Sequence, residues 1–498
     1  MNFSRKAGII LAVIFGTGII LRLLFYLANR SLWLDELFVA FNANEGSFPQ
    51  IFLPLGYQQC TPVGFILYEK LFVLSLGNNE YSLRLFPLLC GLAGLGYFWI
   101  LAKRLCTRYS SAVIALAFFS FSRLLIYFSA ETKQYSSDVM ITILLFLLFI
   151  RHSEIKTARV ANRFLFFSFG VTGIFAILLS HTAIFTLTGY SLISMLQYYK
   201  QRESKKLISL MGSCAVWLLA SSILYKNIYH AYFTNPYLQD CWKTNFINFS
   251  PSFFKTASLF FENVVRISCG NVGRLWGSIL FISGALCLLR NEKHRLLVLT
   301  SPLIVCFFAS ALRYYPIEER LLLFFAPPAI IIVSEGVNYY RAILERRSVA
   351  LANIFLGLII VFLLTDSLGL ITNPSEETSC RPRQESKPVI EYIAKHKQAG
   401  DLMYAFAEAQ YAFKYYGRNL GIEKYSVVDP SSKGETYEKT FAPLRNKDRT
   451  WILFTYYCKS QALFREKQEE IAYLDIIGKR LDTYKKQGAT AYLYDFSQ

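Results

Sequence analysis

The chain is predicted to be a polytopic α-helical membrane protein with about eleven transmembrane helices, followed by a small C-terminal α/β domain outside the membrane. Three observations carry the prediction. Of its 498 residues 54% are hydrophobic and 17% charged, which excludes an ordinary soluble protein of this length. The apolar residues fall into runs close to the roughly 20 residues that cross a bilayer. Beyond about Asn373 the runs cease, and Pro374, Pro382 and Pro388 punctuate a charged stretch that leads into a mixed, soluble-looking composition. The net charge of +18 raises nucleic acid as a partner. The basic residues, however, sit in short clusters between apolar runs, the pattern of membrane orientation signals, and nucleic acid is set aside.

The first element is Ala7 to Leu27, preceded by Arg5 and Lys6. It is long enough to span and no small-x-small cleavage site follows, so it reads as a retained helix with its basic end in the cytoplasm. Further spans are expected at 84 to 102, 111 to 129, 138 to 150, 164 to 180, 182 to 198, 207 to 228, 275 to 289, 296 to 312, 321 to 334 and 349 to 366. The segment 62 to 76 is short and interrupted by Glu69 and Lys70, so it is expected to lie along the outer interface as an amphipathic or re-entrant helix. Charge supports leaving it uncounted. The cytoplasmic side then carries Lys103/Arg104/Arg108, Arg151/Lys156/Arg159/Arg163, Lys200/Arg202/Lys205/Lys206, Arg290/Lys293/Arg295 and Arg341/Arg346/Arg347, against Glu154, Glu203, Glu292 and Glu345. Counting it as a span would invert every later loop and destroy that asymmetry.

This topology makes a multi-pass protein of the cell (inner or plasma) membrane with a cytoplasmic N-terminus. Residues 1–372 form the transmembrane domain and 373–498 an extracytoplasmic domain. In the latter, Val389 to Lys397 and Gln461 to Lys485 read as helices, and Leu402 to Phe406, Tyr425 to Asp429, Trp451 to Thr455 and Ala489 to Tyr494 as strands. Cys241 with Cys269, and Cys380 with Cys458, are the pairs placed to form bridges in an oxidising space. No cysteine spacing points to a metal.

The loops assigned to the outer face hold the chemistry. Asp35 and Glu36 follow the first span in Ser31-Leu32-Trp33-Leu34-Asp35-Glu36. A hydroxyl nucleophile needs a base within hydrogen-bond reach, and Asp35 is the candidate, with Glu36 orienting. The competing reading makes both acids first-turn charges of the following helix. Glu131 and Asp138 stand seven positions apart in Ala130-Glu131-Thr132-Lys133-Gln134-Tyr135-Ser136-Ser137-Asp138, which is two turns of one helical face if the helix runs through both. They read either as an acceptor-side or second acidic site, or as a solvated turn with a Lys133 ion pair. Arg84, Arg320 and Lys70 are the cations on this side suited to a phosphate, Arg320 foremost because a guanidinium grips phosphate oxygens bidentately. Arg22 and Arg123 lie inside spans, where they either line a cavity or snorkel. His181 stands at an outer corner, as a substrate contact or a structural residue.

Read together, Leu32 to Glu36, Gln58-Gln59-Cys60-Thr61-Pro62-Val63-Gly64-Phe65, and Gly77 to Pro87 with Arg84 resemble the polytopic GT-C glycosyltransferases. The groups nearest in pattern are the bacterial enzymes akin to protein O-mannosyltransferases, the lipid A aminoarabinose transferase and the lipopolysaccharide-core sugar transferases. Glu131 to Asp138 resembles the second acidic loop of that family, and Tyr315-Pro316 through Glu319-Arg320 to Pro327 its later outer loop. The resemblance covers about residues 1 to 335. It implies a GT-C type fold and an enzyme that moves a sugar from a polyprenyl-phosphate donor to an extracytoplasmic glycan, lipid or protein acceptor, among membrane lipids. Asp35 would then be the base, Arg84 and Arg320 would meet the carrier phosphate, and Glu131 or Asp138 would serve the acceptor. Thr61-Pro62 stands where relatives often carry Pro-Pro, and no counterpart of the lysine that some place before it is seen. A phosphate leaving group needs cations or a metal more than protonation, and two adjacent acids can hold a divalent ion, but none is assigned here. The rival readings are a flippase of lipid-linked saccharides, for which the internal repeats are missing, and a polysaccharide polymerase or ligase.

Overall fold

The structure is a computed structural model in which residues 5–154, 164–249, 251–270, 272, 274–373, 384–428, 437–455 and 461–497 are described. Its contacts divide the chain into two units, Met1–Leu27 with Asn42–Thr372, and Ala28–Phe41 with Asn373–Gln498.

Among the described residues the regular structure of the first unit is all helical. Its elements are α1 (Arg5–Leu27), the last turn of α2 (Leu34–Glu45), α3 (Val63–Leu76), α4 (Glu80–Leu105), α5 (Tyr109–Ser120), α6 (Arg123–Phe128), α7 (Tyr135–Glu154), α8 (Gly170–Leu179), α9 (Ala183–Lys200), α10 (Ser204–Leu224), α11 (Phe253–Cys269), α12 (Arg274–Asn291), α13 (Lys293–Ala311), α14 (Ala326–Arg347) and α15 (Val349–Thr372). Among the described residues seven stretches are long and apolar enough to cross a membrane: Ala7–Leu27, Glu80–Leu105, Tyr135–Glu154, Ser204–Phe233, Lys293–Ala311, Glu319–Arg347 and Val349–Thr372. The tandem pair α11 and α12 makes an eighth if counted as one broken span, and Tyr109–Ser120 and Phe167–Leu179 are shorter apolar helices. This is a multi-pass membrane protein. The segment 62 to 76 forms α3, whose 14 residues rise only about 21 Å, short of a bilayer core.

α14 is the centre of the unit. Every residue from Ala326 to Asn338 is buried, as expected of a helix apolar on all sides. It crosses α12 at backbone contact, because Gly284 of one and Gly336 of the other leave no room for a side chain.

The run 111 to 129 is not one helix. It breaks at Phe121 into α5 and α6, with Ser122 Oγ accepting from Leu125 N to start the second. The break exposes the carbonyls of the last turn of α5, and Arg22 of α1 covers them. Its guanidinium donates to Phe119 O at 3.1 Å and Ser120 O at 3.0 Å, and to Gly18 O on its own helix at 2.9 Å. Arg22 is fully buried and caps a helix end, which suits a cation at a C-terminal dipole; it does not snorkel. Arg123 is likewise committed, with Nη1 donating to Asp366 O at 3.2 Å and paired with Asp366 Oδ1 at 3.6 Å.

The second unit contains a five-stranded sheet in the order β2-β1-β3-β5-β4, from β1 (Leu402–Phe406), β2 (Ser426–Val428), β3 (Arg449–Thr455), β4 (Lys479–Lys486) and β5 (Ala489–Asp495). β1 is parallel to both β2 and β3, while β5 runs antiparallel to β3 and β4. Period-two alternation sends Tyr404, Phe406, Ile452, Phe454, Tyr492 and Tyr494 to one face, where they pack with Ile471 and Leu474 of α17 (Gln461–Ile477). α16 (Ser386–His396) lies on the other face, where Tyr392 meets Trp451 edge-on at 6.2 Å.

Two expectations are corrected. The stretch Gln461 to Lys485 is helical only to Ile477, because Phe496 packs so close to Gly478 that a Cβ there would overlap its ring, and the chain then turns into β4. β4 is the charged edge strand of a hairpin closed by Gln487 and Gly488, with Gly488 at φ 66°. Cys241 and Cys269 are both free thiols, the first exposed and the second buried at the end of α11. Cys380 and Cys458 lie outside the described residues.

Candidate active site

The acidic pair belongs to the second unit. The chain passes through Asn29, at φ 40°, into a stretch without regular structure, and α2 begins at Leu34. Trp33 N donates to Glu36 Oε2 at 3.4 Å, the backward half of a capping box, so Glu36 satisfies one of the orphan amides of the helix start. Glu36 is fully buried and Asp35 is half-buried. The two carboxylates thus differ in kind: one is spent on local structure, and the other keeps access to solvent beside the positive end of a helix.

The other predicted residues belong to the first unit. The segment Glu131 to Asp138 is buried along its whole length, which overturns the solvated turn. α7 starts only at Tyr135, so Glu131 sits in the turn ahead of the helix and Asp138 in its first turn; they are not on one helical face. Lys133 is buried with the rest of the segment rather than set at the surface. Its ammonium donates to Gln59 Oε1 at 2.6 Å, tying this segment to the Gln58-Gln59-Cys60-Thr61 motif, which is entered through two consecutive left-handed residues, Tyr57 at φ 57° and the motif's own Gln58 at φ 55°. Non-glycine residues in that region carry strain of about 1–2 kcal/mol each, and such strain collects where geometry matters. Asp138 has Ser180 and Thr182 as hydrogen-bonding neighbours, while its Oδ1 is buried with no hydrogen-bond partner among the described residues. Tyr315, whose hydroxyl donates to Leu321 O at 2.9 Å, lies within electrostatic range of Asp138 and Cys60.

The three cations have different neighbours. Lys70 is buried and donates to Ala43 O at 3.1 Å and also to Gly46 O, so its charge caps the C-terminal end of α2. Arg84 is buried in α4, one turn after the buried Glu80 on the same helical face. Arg320 is half-buried, with its guanidinium over the Trp242 ring at 5.7 Å and Nε 3.8 Å from Glu318. The loop that carries it is pinned by Asn263 Nδ2 donating to Ile317 O at 2.9 Å, Ile317 N donating to Asn245 O at 2.6 Å, and Arg266 paired with Glu319 at 3.0 Å.

Sequence reasoning missed Gln59, Ser180, Thr182, Tyr315 and Glu69. Glu69 is a fully buried carboxylate inside α3 that, with Asp138, lies in electrostatic range of Cys90. The only signal was polarity in an apolar stretch. Among the described residues no group of three His, Cys, Asp or Glu side chains is placed to hold a metal ion.

His181 sits between α8 and α9 with the Cys60 backbone as a hydrogen-bonding neighbour and the Tyr229 ring edge-on at 4.6 Å. Its Nε2 is buried without a hydrogen-bond partner among the described residues. Burial pushes the imidazole down from 6.5 to about 4, with Cys60 opposing weakly, so the ring is neutral at pH 7 and its free nitrogen is an acceptor. Between those two values the unfolded chain binds a proton that the folded one does not, so this residue's contribution to stability is whole above pH 6.5 and is lost as pH falls to about 4. His181→Gln should therefore flatten the decline in melting temperature between pH 7 and pH 4.5. An unchanged slope would show that His181 is protonated in the folded protein.

No family model matches the sequence, and no curated protein matches it. Solved structures do share its fold. ArnT from Cupriavidus metallidurans in the apo state superposes with a TM-score of 0.57 at 13% identity over 98% of each chain. ArnT from the same organism bound to undecaprenyl phosphate superposes with a TM-score of 0.54 at 12% identity, again over 98% of each chain. A weaker likeness, TM-score 0.46 at 11% identity over 96% of this chain and 74% of the other, is to the oligosaccharyltransferase AglB from Archaeoglobus fulgidus in complex with an inhibitory peptide and a dolichol-phosphate. The fold is thus that of the ArnT structures, over 98% of both chains.

Proposed function

We propose that this protein is a membrane glycosyltransferase that moves a sugar from a polyprenyl-phosphate carrier to an extracytoplasmic glycan, lipid or protein. The observation that supports this most is the end-to-end likeness to a structure bound to undecaprenyl phosphate, 98% of both chains. The site residues agree with it. Asp35 is the half-buried, solvent-reaching acid of its pair, suited to take the proton of an attacking hydroxyl. Arg320 and Arg84 are assigned to the carrier phosphate, whose leaving charge needs cations rather than an acid. Asp138, with its Ser180 and Thr182 neighbours, and Glu131 are assigned to sugar hydroxyls of the acceptor side. Lys70 is reassigned to holding the end of α2, because its ammonium is already engaged by carbonyls there.

The test is transfer by the purified full-length protein in lipid nanodiscs supplied with undecaprenyl-phosphate sugars and extracted envelope acceptors. Arg320→Ala should raise KM for the donor by about 10- to 100-fold, the loss of roughly 1.5–3 kcal/mol carried by a hydrogen bond to a charged group. A wild-type protein that carries the lipid-linked sugar across a vesicle membrane without transferring it would replace this reading with a flippase.

A further inference from the structure

The peptide that leads into Asp35 is held in an unusual way. Residues 31 to 33, which have no regular structure, and Leu34, the first residue of α2, are all buried and present four consecutive backbone N–H donors, and a side chain meets each one. Ser31 N donates to Glu385 Oε2 at 3.3 Å, Leu32 N to the Tyr416 hydroxyl at 2.7 Å, and Leu34 N to Gln384 Oε1 at 3.0 Å, while Trp33 N uses Glu36. The Ser31 hydroxyl completes the junction, donating to Glu385 Oε2 at 2.9 Å and accepting from Lys387 N at 3.1 Å. Only one of the four acceptors is local in sequence. The other three come from Gln384, Glu385 and Tyr416, at separations of 350, 354 and 384 positions from Leu34, Ser31 and Leu32. The same domain grips the next turns of α2, where Phe38 meets Tyr411 edge-on at 4.8 Å, Phe41 meets Tyr415 at 6.2 Å, and Lys414 lies over Phe41 at 4.4 Å.

Buried backbone donors have to be met, and loops usually meet them with backbone or water. Side-chain acceptors fix something more. They set the register at which the chain enters the helix, and a slip of one residue would rotate Asp35 by about 100° around the axis of α2. We propose that Gln384, Glu385 and Tyr416 are positioning residues for Asp35, and that the C-terminal domain is a working part of the catalytic apparatus. This rests on the role given to Asp35 above. The domain serves as a clamp that fixes the direction of the base.

Tyr416→Phe removes the hydroxyl that accepts from Leu32, Gln384→Ala removes the acceptor for Leu34, and neither opens a large cavity. The double variant should lose about 10- to 100-fold in kcat, the scale of a misplacement near 1 Å, with KM for the polyprenyl-phosphate donor within about twofold. Gln384→Glu keeps an oxygen at the same place and should restore kcat to within about threefold of the wild type when paired with native Tyr416. Hydrogen exchange of a peptide covering residues 29 to 37 should speed up in the double variant while the strands β1, β3 and β5 keep their protection, which separates a loosened clamp from an unfolded domain. Faster exchange with kcat unchanged would overturn the positioning role. Unchanged exchange would show that the clamp does not exist, with no transfer assay needed. If Asp35→Asn retains full activity, the function assigned to Asp35 fails instead.

Discussion

Asp35→Asn is expected to lower transfer by about 10²- to 10⁴-fold, the range over which a positioned general base acts. The substitution keeps the size of the side chain and an oxygen at this half-buried position at the start of α2, so helix capping survives. Folded yield, melting temperature and donor KM should stay near wild type. Glu36 supplies the contrast. Glu36→Gln leaves an oxygen able to accept from Trp33 N, and a glutamine serves in a capping box, so kcat should fall less than about fivefold. Single-turnover transfer of a radiolabelled sugar from its polyprenyl phosphate measures both. Asp35→Asn retaining a third or more of the wild-type rate would remove the base from the mechanism, and equal losses in the two variants would make the pair a structural cap.

The strands of the C-terminal domain were legible because each is a short apolar run bounded by turn residues, and β1 at Leu402–Phe406 is the clearest case. β4 was not, since an exposed edge strand such as Lys479–Lys486 needs no apolar face and its charges read equally well as a helix surface. Gly478 and Gly488 bracketed it, and reading them as a stop and a turn would have found it. The broken helix at Phe121 was beyond local reading, because what stabilises the break is a guanidinium from Arg22 on another helix. The site shows the same division. That Asp35 and Glu36 open a helix, and that Glu131 to Asp138 is polar, follow from residue types alone. That Glu36 is sealed, that Lys133 reaches Gln59, and that Glu385 and Tyr416 hold the first loop depend on partners 74 to 384 positions away, for which no local pattern exists.

Gly284→Ala and Gly336→Ala are each expected to cost at or beyond the top of the roughly 1–3 kcal/mol that overpacking a core usually takes. A Cβ on Gly284 would overlap the carbonyl oxygen of Ile332, and one on Gly336 the carbonyl oxygen of Leu280. Both obstacles are helix backbone, which cannot swing aside as a side chain does, so α12 and α14 would have to separate along the crossing. α14 is the helix buried over its first thirteen residues, Ala326 to Asn338, and it packs against α5, α11, α12 and α15, so a shift there disturbs most of the unit. Its other face is fixed at Glu335, which accepts from Thr107 N and Thr107 Oγ1 at 2.6 Å each and from Ser111 Oγ at 3.1 Å, so moving α14 also threatens a buried carboxylate with the loss of its donors. Gly357 of α15 is the internal control. Nothing lies within 4 Å of the position a Cβ would take, so Gly357→Ala should be neutral or stabilise by up to about 1 kcal/mol through helix propensity. Melting in detergent, followed by the fraction that stays monodisperse, would compare the three variants. Stability at Gly284→Ala equal to that of Gly357→Ala would mean that the two helices do not meet at backbone contact.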